Sequence, residues 1–585
     1  MTVWAGYYLR DPRSALRADL ADSLGRVLSR RPGDVPTVTR FDRAAFVHLE
    51  IGAFAEPSVV SDPQQFTIVA GDPILSGSPT RNRKTDIERL HRAWGAGDVS
   101  IATESAGTFA GLHFNTGSKT LTIVADKLGL RPIYYAVTDD VIYVASALRI
   151  LEALPNLPKV MDVQGAVETL ALGYPLADRT PYCRIHAILN GGVVRFRDRE
   201  ISKSRYWNLA DLSEDTITID QAAERVHTLF SQAIDRRLAG DRRGVAFLSG
   251  GLDSRCMVSE LVARGVQLHT FNFANDGTKD HVLGDAFAKV VGTRHTRTPR
   301  TNEVVRWSQL MADVWGNSPY RSQMPVERPS VIWSGDGGSV GLGFVGVYAS
   351  VIAALRAGKR DDAVKKYFEQ HEISVPLRVF RGRIADDVRD IVHTGVREAL
   401  DDVRCDEDHG REVYAFRMAH DQRRHLVLHF EDTDLHRLEF HLPFYDADLV
   451  TAVAQTPPDY GVGHRLYHES LRFFPPTVKQ VAWQAYPGHQ PCPIAEPVEA
   501  IDQWGQSQKE IVRRSRRAGI LGEATRVAFS RSFPRALLDR RYLVATSVAH
   551  WAGLGDYGYV LEYAKAFSEM FGVSNGRWAL SSDAS

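Results

Sequence analysis

Six consecutive residues, Ser249-Gly-Gly-Leu-Asp-Ser254, join two hydroxyls, two glycines and one carboxylate. They sit between an apolar run, Val245–Leu248, and a helical pattern, Arg255–Arg264. The glycines let the backbone approach an anion, and a helix start offers free N–H groups at its positive dipole end. This is a phosphate cradle. Asp253 would repel phosphates unless a hard cation such as Mg²⁺ lies between them. The loop lacks the Gly-Lys-Ser/Thr ending of the Walker type. A second loop, Ser334-Gly-Asp-Gly-Gly-Ser-Val-Gly-Leu-Gly343, follows the apolar run Pro329–Trp333. Doubly wound sheets bind ligands beyond the carboxyl ends of their strands, so the two loops are expected to face one site. Phe273, closing Thr270-Phe-Asn-Phe273, is expected beside a nucleobase. Asp336 is the only acid between Glu327 and Asp361. It is placed to bind Mg²⁺, or to take a proton from an attacking amine as general base.

The elements that must hold these loops follow from pattern. Residues 1 to about 205 read as β-rich, with strands expected at Phe46–Ile51, Thr67–Ala70, Leu121–Ala125, Ile133–Val137, Val141–Ala145 and Gly192–Phe196. From Ile219 helices alternate with short apolar strands: helices at 219–238, 254–264, 281–291 and 303–315, strands at 244–248, 266–273, 293–298 and 330–334. That alternation predicts an α/β fold with a doubly wound parallel sheet. The remainder, from about 345, reads as helical. The polar stretch at 206–220 divides the chain into a domain at 1–210 and a second at 215–585, with a helical extension over about 495–585.

SGGLDS after a strand resembles the ATP-pyrophosphatase loop of asparagine synthetase and its relatives. The resemblance implies ATP and Mg²⁺, cleavage between the α and β phosphates, and an acyl-adenylate. It assigns Leu248, Ser249, Gly250, Gly251, Asp253, Ser254, Phe273, Ser334 and Gly335 to the nucleotide, and Asp253 and Asp336 to the metal. The family's second loop runs Ser-Gly-Glu-Gly-Ala-Asp-Glu; here Asp336 replaces Glu, Gly338 replaces Ala, and Ser339-Val340 replace Asp-Glu. Leu438-Glu-Phe-His-Leu-Pro-Phe-Tyr-Asp446 resembles a family segment that supports the nucleotide pocket. Tyr486 falls where the family carries a catalytic lysine, with His489 and Lys479 as stand-ins. The catalytic candidates are therefore Asp336, Tyr486 and His489.

The N-terminal half resembles the family's glutaminase domain through Gly107-Thr-Phe-Ala110, Ala125-Asp-Lys-Leu-Gly-Leu-Arg-Pro-Ile-Tyr-Tyr135 and Ala145-Ser146. That implies an N-terminal-nucleophile α/β/β/α sandwich. The family's nucleophile is a cysteine after Met; here Thr2 stands there, and no cysteine precedes Cys183. The domain is therefore expected to be a degenerate scaffold, and the amine to come from elsewhere than glutamine. Ring-closing relatives follow that pattern: β-lactam synthetases and, most similar through GDGGSVGLG, PFYD and WQAYPGHQPCP, lasso-peptide cyclases. The resemblance implies isopeptide (macrolactam) closure in a precursor peptide, with a leader-processing protease and a leader-recognition protein as partners. The alternatives are a β-lactam-forming or ammonia-dependent small-molecule synthetase, and an inactive scaffold for a processing partner.

Composition excludes other classes. Lys plus Arg and Asp plus Glu balance at 71 each, giving no global pull toward nucleic acid or membrane. No apolar run approaches a membrane span. The N-terminus lacks the basic and apolar regions of a secretion signal. Four scattered cysteines predict reduced thiols and a cytoplasmic location. His420, His425, His429, His436 and His441 cluster without HExxH, so zinc is set aside for a polar helix face or substrate groove. Ten Lys/Arg against three acids over 509–541 predict a solvated helical face.

Overall fold

The N-terminal half stacks two six-stranded antiparallel sheets. In the first, the strands run in the order Ile185–Ala187, Tyr134–Val137, Val141–Ala145, Thr2–Leu9, Ala44–Glu50, Thr37–Arg40. In the second they run Glu200–Arg205, Gly192–Arg197, Thr120–Ala125, Thr108–Asn115, Gln65–Asp72, Val59–Ser61. The computed structural model describes residues 2–11, 17–77, 82–298, 331–501 and 519–580.

Thr2–Leu9 shows why the stack holds. Successive side chains of a strand point to opposite faces. Trp4 and Tyr8 enter the layer between the sheets with Phe46, Phe66, Phe114 and Ile123. Val3, Ala5, Tyr7 and Leu9 face outward onto Leu20, Leu24 and Leu28 of the helix Arg17–Leu28 and Ile150 and Leu151 of the helix Leu148–Ala153. The second sheet's outer face packs Val69, Phe109 and Val124 against Ile87, Leu90 and Trp94 of the helix Arg83–Gly95. The layers are α/β/β/α, the sandwich expected.

The second half centres on five parallel strands in the order Arg294–Arg297, Gln267–Asn272, Arg243–Phe247, Val331–Trp333, Glu439–His441. Chain order reverses between Arg243–Phe247 and Val331–Trp333, which makes the gap beyond their ends the switch point of a doubly wound sheet. The expected helix at 303–315 lies outside the described residues. Glu439–His441 comes from the segment assigned to pocket support and forms the sheet's fifth strand, pairing residue for residue with Val331–Trp333.

A further core joins Met161, Val163 and Val167 to Val388, Val392, Leu537, Leu543, Leu561 and Phe567. It brings the C-terminal helices Ile520–Ala528, Arg540–Trp551 and Gly558–Val573 onto the helix Val163–Leu172. Trp578–Ala579 closes it by pairing in parallel with Met161–Asp162. No helix among the described residues is long and apolar enough to cross a membrane.

The halves are also pinned by charge. Arg131 pairs with Glu439 at 2.6 Å, both side chains buried, and stacks over Phe430 at 4.5 Å. Removing one partner of such a pair leaves the other charge buried alone. Arg131→Ala is expected to destabilise the protein by about 3–5 kcal/mol. The measurement is the denaturation midpoint, with Arg131→Met/Glu439→Gln regaining much of the loss.

Candidate active site

The helix Leu252–Ala263 starts at Gly251, which has no side chain to cap it. Its first-turn N–H groups are therefore left for a ligand. The loop before it is braced from within. Ser249 N–H donates to Ser254 Oγ at 3.0 Å, and Gly251 N–H to Ser249 Oγ at 3.2 Å. The second loop packs directly on the first. A Cβ on Gly335 would stand 2.7 Å from the Ser254 nitrogen, so only glycine fits this approach. Gly337 turns the loop with φ +93° against the Tyr445 ring.

Between the loops opens a cavity of about 910 Å³. Leu248, Ser249, Gly251, Asp253, Ser254, Phe273, Ser334, Gly335, Asp336 and Tyr486 all line it. Gly250 is not among the lining residues; its N–H donates to Asp280 Oδ1 at 2.9 Å. His489 and Lys479 are also outside the lining. His489 packs against His464 with ring centroids 4.5 Å apart and the planes tilted, and Lys479 ends a turn at Pro476–Lys479.

Asp253 is held by three donors. Ser339 gives its N–H at 2.8 Å and its hydroxyl, and the Tyr467 hydroxyl donates at 2.9 Å. Burial pushes the Asp253 carboxyl up to about 6, against the pull of these donors. Tyr486 extends the chain by donating to Ser339 Oγ at 3.1 Å. Ser339, which replaces the family's acid, thus spends its hydroxyl on Asp253. Asp336 accepts from the Ser334 hydroxyl and lies 3.9 Å from His425 Nε2. Burial works to raise its carboxyl, but His425, the Ser334 hydroxyl and His429 together outweigh it and leave the group below its ordinary value. His425 is raised in turn, first by that pairing.

Neither Asp253 nor Asp336 pairs with a lysine or arginine among the described residues. Two carboxylates facing one cavity, neither paired with a lysine or arginine, fit Mg²⁺ shared with phosphate, which takes one or two carboxylates plus substrate oxygens. No group of three or more His, Cys, Asp or Glu that could hold a metal by itself occurs among the described residues.

Several site residues carry no sequence signal, and His425 carries only that of the histidine cluster noted above. Tyr467 is 214 positions from the carboxylate it holds. Gln422 and His425 reach the cavity from a helical run interrupted by a π-helical stretch at Arg417–Gln422, a distortion common at functional sites. Arg255, buried, donates to the carbonyls of Val481 at 2.6 Å and Ala482 at 2.9 Å, and so anchors the segment 483–487 that roofs the cavity.

In the N-terminal half, the buried Thr2 hydroxyl donates to Glu50 Oε2 at 2.6 Å and also contacts Ser58. Ser58 N–H donates to the same carboxylate at 3.0 Å, and Arg83 donates to Ser58 Oγ at 3.0 Å. The hydroxyl in the nucleophile's place is tied into a structural network.

Two family descriptions match the chain: a glutamine amidotransferase domain over residues 76–207 and asparagine synthase over residues 225–316. Asparagine synthetase [glutamine-hydrolyzing] 3 of Bacillus subtilis is 24% identical over 250 residues, 41% of this chain and 38% of that protein. The amidase chyE of Penicillium rubens is 26% identical over 178 residues, 29% of this chain and 26% of that protein. The Bos taurus asparagine synthetase [glutamine-hydrolyzing] is 24% identical over 394 residues, 65% of this chain and 62% of that protein. The chain thus spans about two fifths of the first of these relatives and a quarter of the second. The chain is thus similar to a glutamine amidotransferase domain over its sandwich and, next along the chain, to asparagine synthase over the start of its parallel sheet.

Proposed function

We propose that the chain is an ATP-dependent, AMP-forming carbon–nitrogen ligase that closes an isopeptide (macrolactam) ring in a lasso-type precursor peptide. The observation that carries this reading is an intact phosphate loop opening on a cavity of about 910 Å³, in a chain whose Thr2 is clasped by Glu50. A peptide carboxylate oxygen attacks the α-phosphorus, the bond to the β-phosphate breaks, and pyrophosphate leaves. The peptide's own amine then attacks the acyl carbon, the bond to AMP breaks, and the amine's proton goes to a base.

The chain's residues supply the setting. Ser249, Gly251, Ser254, Ser334 and Gly335 cradle the phosphates, and Phe273 lies against the adenine. Asp253 and Asp336 would hold Mg²⁺, which neutralises charge on the departing pyrophosphate. Asp336, paired with His425, is the base candidate facing the cavity. Tyr486 stands at the cavity's roof as a hydroxyl donor. A leader-processing protease and a leader-recognition protein are the partners this reading requires. Cys183, Cys256 and Cys405, all buried and in no disulfide, suit a cytoplasmic location.

The test is incubation with MgATP and leader-free peptides bearing a free amine and an internal Asp or Glu. Loss of one water from a peptide, with AMP and pyrophosphate formed in step, supports the proposal. A second reading, an ammonia-dependent synthetase of a small molecule, is supported by the similarity to asparagine synthetases together with Thr2 in the cysteine's place; ammonium-dependent AMP formation without peptide would select it. In either case glutamine is expected to yield no glutamate above background, and Thr2→Ala to leave turnover unchanged. Glutamine-dependent turnover that vanishes in Thr2→Ala would restore an amidotransferase role.

A further inference from the structure

The cavity is rich in acids. Asp253, Asp280 and Asp336 line it, whereas Lys279 is the one lysine or arginine among its described lining residues. A triphosphate adds further negative charge, and one Mg²⁺ cannot offset all of it. The position of Lys279 is tightly set. It opens the helix Lys279–Val291, which Thr278 caps by accepting from His281 N–H at 3.4 Å. The phosphate loop lies on its backbone: a Cβ on Gly250 would stand 2.7 Å from the Lys279 carbonyl oxygen. Asp280 fixes this contact through the Gly250 N–H.

The Lys279 ammonium pairs with Glu496. Glu496 belongs to the strap that leaves the cavity roof, and its Oε1 accepts from Ala485 N–H at 3.4 Å, next to Tyr486. The strap is tied down beside Lys279 as well, since Lys279 N–H donates to the Ile501 carbonyl at 2.8 Å and Ile501 N–H to the Gly277 carbonyl at 3.0 Å.

We propose that Lys279 is the triphosphate-binding cation of this site, and that Glu496 holds its ammonium until a nucleotide's β and γ phosphates displace the carboxylate. The exchange is carboxylate for phosphate on one ammonium, with no covalent step. Phosphate wins because it carries more charge and more acceptor oxygens. The inference rests on the nucleotide site proposed above and adds to it the residue that reads the phosphate tail.

Calorimetric binding of α,β-methylene-ATP with Mg²⁺, and of AMP, separates the possibilities. Lys279→Ala should weaken the triphosphate by about 10–100-fold, the weight of a charge-assisted contact, while AMP binding stays unchanged and shows that the site is folded. Glu496→Gln should tighten the triphosphate several-fold, because the competitor has lost its charge. A purely structural ion pair would instead make both substitutions weaken binding. Equal triphosphate binding by wild type and Lys279→Ala, or weaker binding by Glu496→Gln, overturns the latch while leaving the nucleotide site standing. A wild type that binds neither nucleotide overturns both.

Discussion

Asp253→Ala is expected to lower ATP–pyrophosphate exchange by about 10²–10³-fold or more, since a metal ligand at the phosphates supports several kcal/mol of charge stabilisation. Burial pushes this carboxyl up to about 6, against the donors that favour its charged form. Its contacts make the experiment interpretable. Ser339 and Tyr467 both donate to Asp253, so alanine removes a charge and also unties two hydroxyls. Asp253→Asn keeps the shape and one acceptor. If the residue were only a tether between the loops, asparagine would work nearly as well as aspartate. If it holds Mg²⁺, both variants fail. Near-normal exchange by Asp253→Ala, or ADP as the wild-type product, would end the adenylation reading.

Asp336→Asn should cripple amide formation, by about 10²–10⁴-fold if the carboxylate acts as the general base. The amine that attacks the adenylate starts protonated near neutral pH. The His425 pairing keeps Asp336 ionised, so the group is ready to accept a proton or bind a cation. Two assays divide these roles. Exchange of pyrophosphate into ATP survives in the asparagine variant if Asp336 serves only the second half-reaction, and fails with it if Asp336 holds metal. His425 reports independently. Its raised value depends first on Asp336, so the imidazole should titrate lower in Asp336→Asn, measurable by NMR. Full ring closure by Asp336→Asn would remove the residue from both roles and turn attention to Tyr486.

What the sequence could reveal was local. The Ser249–Ser254 loop is contiguous, and a strand before it with a helix after it completes a recognisable unit. Three strands of the parallel sheet, Arg243–Phe247, Gln267–Asn272 and Val331–Trp333, were readable from their apolar residues between turns, whereas Glu439–His441 was not read as a strand. Thr2–Leu9 escaped because both its faces are buried, one between the sheets and one under helices, so it shows no polar alternation. Tyr467, Gln422 and Lys279 escaped for a different reason. Each reaches the cavity by tertiary placement, and nothing in its neighbours along the chain marks it. The replacement of the family's acid by Ser339 reads in sequence as a lost metal ligand. The structure shows the hydroxyl turned onto Asp253, a relation between residues 86 apart.

The parallel pairing of Trp578–Ala579 with Met161–Asp162 bears on how the protein is made. A ribosome adding about 5–20 residues per second needs about 20–80 s to travel the roughly 400 residues between these partners. Throughout that interval Val163, Ala166 and Val167, fully buried in the finished protein, have no C-terminal helices to cover them. The amidotransferase-like half is therefore born with a sticky flank, covered first by Val388 and Val392 of the helix Gly382–Asp402 and then by the C-terminal helices. Splitting the gene between the halves would make that exposure permanent. The N-terminal half thus has part of its own surface completed by segments that follow much later in the chain.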